Sequence, residues 1–170
     1  MKWVQLQINK FLLPTNYSVS KYKPTQDPSC SFCLTGNPTG NHIERLSNLF
    51  WECPLVQEFW DIVGNILKNC NPTFKLGRKE AIFVDMDTGF NSVENTVLLL
   101  SREFIWVQKF TSKKLDIIMY INFMKRELAQ LFELVQIKNK TNEFLKCWLQ
   151  ILDFFEVDHV STSKFIDIMS

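Results

Sequence analysis

The amino-acid sequence predicts an all-α fold, in which short N-terminal helices and a loop-rich segment pack on a bundle of three or four helices. The 170 residues are 46% hydrophobic and 22% charged, a composition that supports a packed core and excludes disorder over most of the chain. After Asn91 the chain has neither Pro nor Gly, and its apolar residues recur at helical spacing. Most Pro and Gly residues fall in two stretches, 14–40 and 71–91, where turns are expected.

These breaks divide the chain into four segments. Residues 1–70 form a helical segment with a knuckle-like Cys-x-x-Cys region, and 71–91 form a linker or loop. Residues 92–160 form the helical bundle, and 161–170 a tail that is a short helix or disordered.

One helix of the first half is predicted to begin at Pro54, because Pro suits the first helical position. Its apolar face consists of Val56, Phe59, Trp60, Val63, Ile66 and Leu67. The stretch 74–85 is ambiguous, and residues 81–84 are compatible with a short strand.

Three helices are predicted after Asn91. The first begins near Asn91 or Ser92 and carries an apolar stripe of Val97, Leu98, Leu100, Phe104, Ile105 and Val107. The second runs from about 114 to 135, with a stripe of Leu115, Ile118, Met119, Leu128, Leu131, Phe132 and Val135. The third carries Trp148, Ile151, Leu152 and Phe155, which we expect to pack on the other two stripes. Lys109 and its neighbours Lys113 and Lys114 are expected at solvated positions or helix ends.

Charge and targeting signals narrow the function classes. Nineteen basic and eighteen acidic residues give a net charge of +1, so an electrostatic partner has to be recognised by a local patch. Only five Gly are present and no glycine-rich phosphate-binding motif occurs, which disfavours nucleotide-binding enzymes. Neither a signal peptide nor a membrane-spanning run is evident, and the cysteine number is odd, so we expect an intracellular protein, nuclear or cytoplasmic, without a membrane partner.

The cysteines suggest a metal site. Cys30 and Cys33 form a CxxC, which lets two thiolates grip one tetrahedral ion from a tight turn. His42 and Cys53 follow at a spacing, C-x2-C-x8-H-x10-C, that can close a zinc site. Cys70 and Cys147 fall on apolar helical positions and are interpreted as small core residues.

The cysteine cluster belongs to a longer pattern, made of the runs 3–5 and 12–16, Cys30-Ser31-Phe32-Cys33, Glu44, Leu49-Phe50-Trp51-Glu52-Cys53-Pro54 and Phe59-Trp60. This pattern resembles the zinc-binding segment that follows the reverse transcriptase domain of LINE-type (non-LTR) retrotransposons. The likeness spans roughly residues 3–150; its specific part is the knuckle, and a weaker likeness extends to the helical tail of those polyproteins.

One position departs from the family pattern. The resemblance places the family's histidine ligand at position 48, where this chain has Asn48, a poor zinc ligand. The cofactor implied is therefore zinc in a degraded site, with Cys30, Cys33 and Cys53 as ligands and His42 or water as substitute for the fourth. The other interpretation is a knuckle without metal, in which the cysteines are free thiols.

No catalytic machinery is evident, and we expect no enzyme activity. Asp87-Thr88-Gly89 matches the aspartic protease triplet, but the chain lacks a second copy and a β-rich frame. No Asp-Asp dipeptide is present for two-metal phosphoryl transfer. His159 has no Ser or Cys partner nearby in sequence.

The N-terminal segment is basic and contains aromatic residues, a combination suited to phosphate contact and base stacking. The resemblance implies a non-enzymatic fragment that binds RNA or single-stranded DNA. Two alternatives stay open: a helical module that binds a protein partner or a second copy of itself, and a relic with no selected role. The candidate nucleic-acid-binding residues are Trp3, Lys10, Lys21, Tyr22 and Lys23.

Overall fold

The computed structural model describes residues 8–10, 12–33, 43–83, 93–111, 114–138, 148, 149, 151 and 154. Within these residues the fold is all-α, as predicted, and an isolated antiparallel bridge between Ser29 and Ile43 is not part of a strand. The helices are α1 (Asn16–Ser20), a π-helical turn (Asn48–Glu52), α2 (Pro54–Cys70), α3 (Arg78–Ile82), α4 (Val93–Phe110) and α5 (Ile117–Ile137).

The chain forms two compact units, residues 1–120 and 121–170, and each is considered by itself. The division into segments 1–70, 71–91, 92–160 and 161–170 stays a prediction. Across the described helices, none combines the length and apolar character needed to span a membrane.

Helix α2 confirms the prediction of a helix that begins at Pro54. It begins at Pro54, directly after the capping residue Cys53, and all six predicted apolar positions are buried. Its Trp60 is buried, and the indole Nε1 donates a hydrogen bond of 2.7 Å to the backbone oxygen of Phe50. This bond attaches α2 to the π-helical turn that precedes it.

An aromatic cluster joins α2, α4 and the start of α5 inside the first unit. Phe59 stacks on Phe104 at a centroid distance of 5.6 Å and meets Tyr120 edge-on at 5.0 Å. The hydroxyl groups of Tyr120 and Ser101 lie 2.8 Å apart, so the buried phenol has a hydrogen-bond partner. Pairs of aromatic rings, like those of Phe59 with Phe104 and Tyr120, contribute about 0.5–1.5 kcal/mol beyond the burial of their area.

The apolar faces of α4 and α5 differ partly from prediction. In α4 the predicted positions are buried except Val107, which is 38% exposed. In α5, Ile118 and Met119 are exposed, whereas the face formed by Tyr120, Met124 and Leu128 is buried. The Asp116 carboxylate caps this helix by accepting hydrogen bonds from the backbone N–H groups of Ile118 and Met119, so the helix begins later than predicted.

The ambiguity at 74–85 is resolved at Ala81 and Ile82, which end helix α3 and do not form the short strand that the sequence also allows. The Glu80 carboxylate accepts a hydrogen bond of 3.0 Å from the Gly77 N–H and so stabilises the start of this short helix. Val84 lies outside the described residues.

In the second unit, Trp148 and Ile151 are buried, whereas Leu149 and Phe154 are more than two-fifths exposed. Leu152, Phe155 and the tail from 161 to 170 lie outside the described residues. The packing expected of this stripe therefore stays a prediction.

Candidate metal centre

Three thiols meet in the first unit. Cys30, Cys33 and Cys53 are each at most 7% exposed, and their Sγ atoms all lie within 4.8 Å of one another. The Sγ atoms of Cys33 and Cys53 are 3.3 Å apart, far longer than the disulfide bond of about 2.05 Å. The three side chains are therefore free thiols that can hold a metal ion.

The spacing of these sulfur atoms fits zinc. With Zn–S bonds of about 2.3 Å at tetrahedral angles, two thiolates that share one ion lie about 3.8 Å apart. The Cys33–Cys53 separation of 3.3 Å and the upper bound of 4.8 Å for all three pairs lie on either side of that value.

Cys53 is positioned by the π-helical turn. Its backbone N–H donates a hydrogen bond of 3.1 Å to the carbonyl oxygen of Asn48, five residues earlier, and Cys53 then caps helix α2. A π turn accommodates one more residue than an α turn and is frequent at functional sites. The third thiol thus sits at the junction between this turn and the longest helix of the first half.

The Cys30–Cys33 turn is held by the buried carboxylate of Glu44. One carboxylate oxygen accepts hydrogen bonds from the backbone N–H of Ser31 at 2.9 Å and from its hydroxyl group at 2.5 Å. The other oxygen accepts a 2.8 Å bond from the Asn16 N–H at the start of α1. Glu44 therefore fixes Ser31, one of the two residues between the cysteines of the CxxC.

Lys109 of α4 completes this polar network. Its ammonium group forms an ion pair with Glu44 and donates a hydrogen bond of 3.1 Å to Asn16 Oδ1, and the side chains of Lys109 and Glu44 are at most 3% exposed. Lys109 lies in the last turn of α4, at a helix end as predicted, but the prediction of a solvated position is wrong for it. The reason is the buried carboxylate, which recruits an opposite charge from 65 residues away along the chain.

The pKa values of the Cys30 and Cys33 thiols favour the neutral form in the metal-free protein. The hydrogen bond with Cys53, together with burial, raises the pKa of Cys30. Burial raises the pKa of Cys33, although its hydrogen bond with Cys53 acts in the opposite direction. Binding a metal ion at this centre therefore releases thiol protons to the solvent.

Of the four predicted metal ligands, the structure brings three together. The fourth, His42, lies outside the described residues. Asn48, which occupies the family's histidine position, is buried at 3% exposure. Cys70 is only partly buried and does not belong to the cluster.

The candidate nucleic-acid-binding residues are accessible where they are described. Lys10, Lys21 and Lys23 are exposed, and Tyr22 is 90% exposed. Trp3 lies outside the described residues, as do Asp87, Gly89 and His159.

Two basic side chains lie over the ring of Tyr17. The Lys21 ammonium lies 4.6 Å and the Arg45 guanidinium 4.9 Å from the centre of its ring, within the range of a cation–π interaction. Arg45 was not among the predicted residues, because only the fold brings it next to α1.

No protein-family model, curated protein or solved structure matches this chain. The likeness to the LINE-type zinc-binding segment therefore stays a prediction.

Proposed function

We propose that this chain is a zinc-stabilised, non-enzymatic helical module that binds RNA or single-stranded DNA through its N-terminal basic surface. The proposal depends above all on the cluster of Cys30, Cys33 and Cys53, whose free, buried thiols match the separations of a shared tetrahedral ion. A buried thiolate site of this kind is typical of structural zinc, which cross-links distant parts of a chain.

In this role the metal ion supplies only a cross-link. Cys30 and Cys33 belong to the turn after α1, and Cys53 caps α2, so their thiolates would tie the N-terminal segment to the helical core. The Glu44–Lys109 pair acts in parallel, because it fastens the same turn to α4.

The charge pattern of the N-terminal segment supports the nucleic-acid half of the proposal. The first acidic residue of the chain is Asp27, so Lys10, Lys21 and Lys23 share a segment without negative side chains. Exposed lysines next to an exposed ring of Tyr22 offer phosphate contacts and a stacking surface.

The experiment measures binding of an unstructured RNA and an unstructured single-stranded DNA by the full chain over a range of salt concentrations. We expect the triple variant Lys10→Glu, Lys21→Glu, Lys23→Glu to bind more weakly and to lose about one unit of salt slope per phosphate contact removed. The matched control reverses three exposed lysines elsewhere, Lys68, Lys75 and Lys79. Absence of binding by the wild type at low salt, or equal effects of the two triple variants, would refute this function.

A second candidate function, self-association or binding of a protein partner, is favoured by the apolar side chains on α5. Ile118, Leu134 and Ile137 are 66%, 56% and 79% exposed. Contacts of this kind do not weaken steeply with salt, unlike phosphate contacts. A dimer that persists at high salt and dissociates in the variant Leu134→Glu, Ile137→Glu would support this second function.

A further inference from the structure

Asn48 has a buried side-chain oxygen that lacks a hydrogen-bond partner among the residues that the structure describes. The residue is 3% exposed, and Oδ1 is shielded from solvent. Leaving such a group unpaired costs about 1–3 kcal/mol, which is why buried polar atoms almost always have a protein, water or ion partner. The Oδ1 atom is therefore a buried acceptor that none of the described residues satisfies.

The position of Asn48 in the chain connects this oxygen with the thiol cluster. Asn48 begins the π-helical turn, and its carbonyl oxygen accepts the hydrogen bond of the Cys53 N–H at 3.1 Å. The next two residues, Leu49 and Phe50, are fully buried. The amide side chain thus belongs to the same short, buried turn that delivers the third thiol.

A tetrahedral ion held by three cysteines has one position left to fill. We propose that Asn48 Oδ1 is the fourth ligand of the ion bound by Cys30, Cys33 and Cys53, an inference that rests on the proposed zinc site. Zinc accepts oxygen donors beside sulfur, and a neutral amide oxygen adds no further negative charge to the three thiolates. This ligand set replaces the expected one in which His42 completes the site.

The test compares zinc affinity of the full chain and of Asn48→Leu, by competition with a chromophoric chelator. Leucine has a similar size and no oxygen, so we expect zinc affinity to fall at least about tenfold, the lower end of the losses seen when groups that support a metal site are removed. Asn48→Asp, which retains an oxygen donor, should bind zinc at least as tightly as the wild type. His42→Ala should bind zinc as the wild type does.

Two measurements separate loss of a ligand from loss of the fold. In the metal-free state, Asn48→Leu should be as stable as the wild type or more stable, because an unpaired buried oxygen is removed. With Co²⁺ as a spectroscopic probe, the thiolate charge-transfer band should remain in this variant, whereas the d–d bands, which respond to the fourth ligand, should shift. The matched control Asn65→Leu changes an exposed asparagine of α2 and should alter neither zinc affinity nor the spectrum.

The outcomes distinguish this inference from the proposed function. A wild-type chain that binds no zinc refutes the metal site itself and this inference with it. If the wild type binds zinc and Asn48→Leu has unchanged affinity and an unchanged Co²⁺ spectrum, the site stands and Asn48 is not its ligand. Loss of zinc in His42→Ala alone would assign the fourth position to His42, and loss in neither variant would assign it to water.

Discussion

Lys109 and Glu44 form a buried ion pair that links helix α4 to the Cys30–Cys33 turn. Both side chains are almost completely shielded from solvent, and the carboxylate has further donors in Asn16 and Ser31. Removing one partner would leave the other charge buried and unpaired. Truncation of either side chain alone is therefore expected to lower the free energy of unfolding.

We expect Lys109→Met to lower the free energy of unfolding by about 3–5 kcal/mol, the usual cost of breaking a buried pair from one side. The control is Arg78→Met, which removes the ion pair between Arg78 and Glu52, both largely exposed, and should cost no more than about 1 kcal/mol. Urea denaturation measures both variants. A loss below about 1 kcal/mol for Lys109→Met would show that the pair does not hold the turn in place.

Single cysteine substitutions test which thiols bind zinc. Cys33→Ser should abolish tight zinc binding, because a structural site that loses one of its thiolates loses much of its binding energy. Cys70→Ser should bind zinc normally, since Cys70 lies outside the cluster. Chelator competition measures the two affinities, and equal affinities would contradict the assignment of Cys33.

At the residue scale the sequence predicts the grouping of Cys30, Cys33 and Cys53, because a CxxC metal site needs further Cys or His ligands and His42 and Cys53 are the nearest ones downstream. It does not predict the burial of Lys109, since an isolated lysine near a helix end is usually solvated. Only the fold brings Lys109 to Glu44, which lies 65 residues away in sequence.

Among the elements, α3 depends on a residue of α4. The Arg102 side chain is 1% exposed, and burial lowers its pKa to about 9, so it is still charged at neutral pH. Its guanidinium donates hydrogen bonds to the backbone oxygens of Glu80, Ala81 and Phe83, at the end of α3. These carbonyl groups would otherwise be unpaired at a helix terminus.

We expect Arg102→Met to lower the free energy of unfolding by about 2–4 kcal/mol, because carbonyl groups in a partly buried site lose their donors. Arg102→Lys should rescue only part of this loss, since an ammonium group does not reproduce the planar fork of donors. Arg126→Met, on the exposed surface of α5, is the control. A fully stable Arg102→Met variant would show that α3 does not need this cap.

The sequence predicts helix boundaries best where several local signals agree. Helix α2 follows from Pro54 and a regular apolar face, so its start and core match the structure. Helix α3 has only five residues, and Glu80 fixes its start. The apolar run at 81–84 is as typical of a strand as of a helix, so the sequence does not indicate this helix. The predicted face of α5 is correct for Leu128 and wrong for Ile118 and Met119, because apolar residues surround this helix and packing buries the side of Tyr120, Met124 and Leu128.

At the scale of the whole molecule, truncation of Trp148 tests whether its burial in the second unit supports the fold. The side chain is 5% exposed, and truncating a buried large aromatic typically costs about 3–5 kcal/mol. Because domains of this size have about 5–15 kcal/mol in total, Trp148→Ala should be close to unfolding. Chemical denaturation measures the stability of this variant, and size-exclusion chromatography measures its oligomeric state. Unchanged stability with loss of a dimer would identify Trp148 as an interface residue instead.

The zinc content of the chain, isolated without added metal, tests the central claim most directly. Elemental analysis should find one zinc ion per chain, and a strong chelator should remove it and lower the melting temperature, because binding to the folded state alone stabilises that state. The cysteines are kept in the reduced form throughout the measurement. A folded, reduced chain that contains no zinc and whose melting temperature does not change when zinc is added would contradict the account.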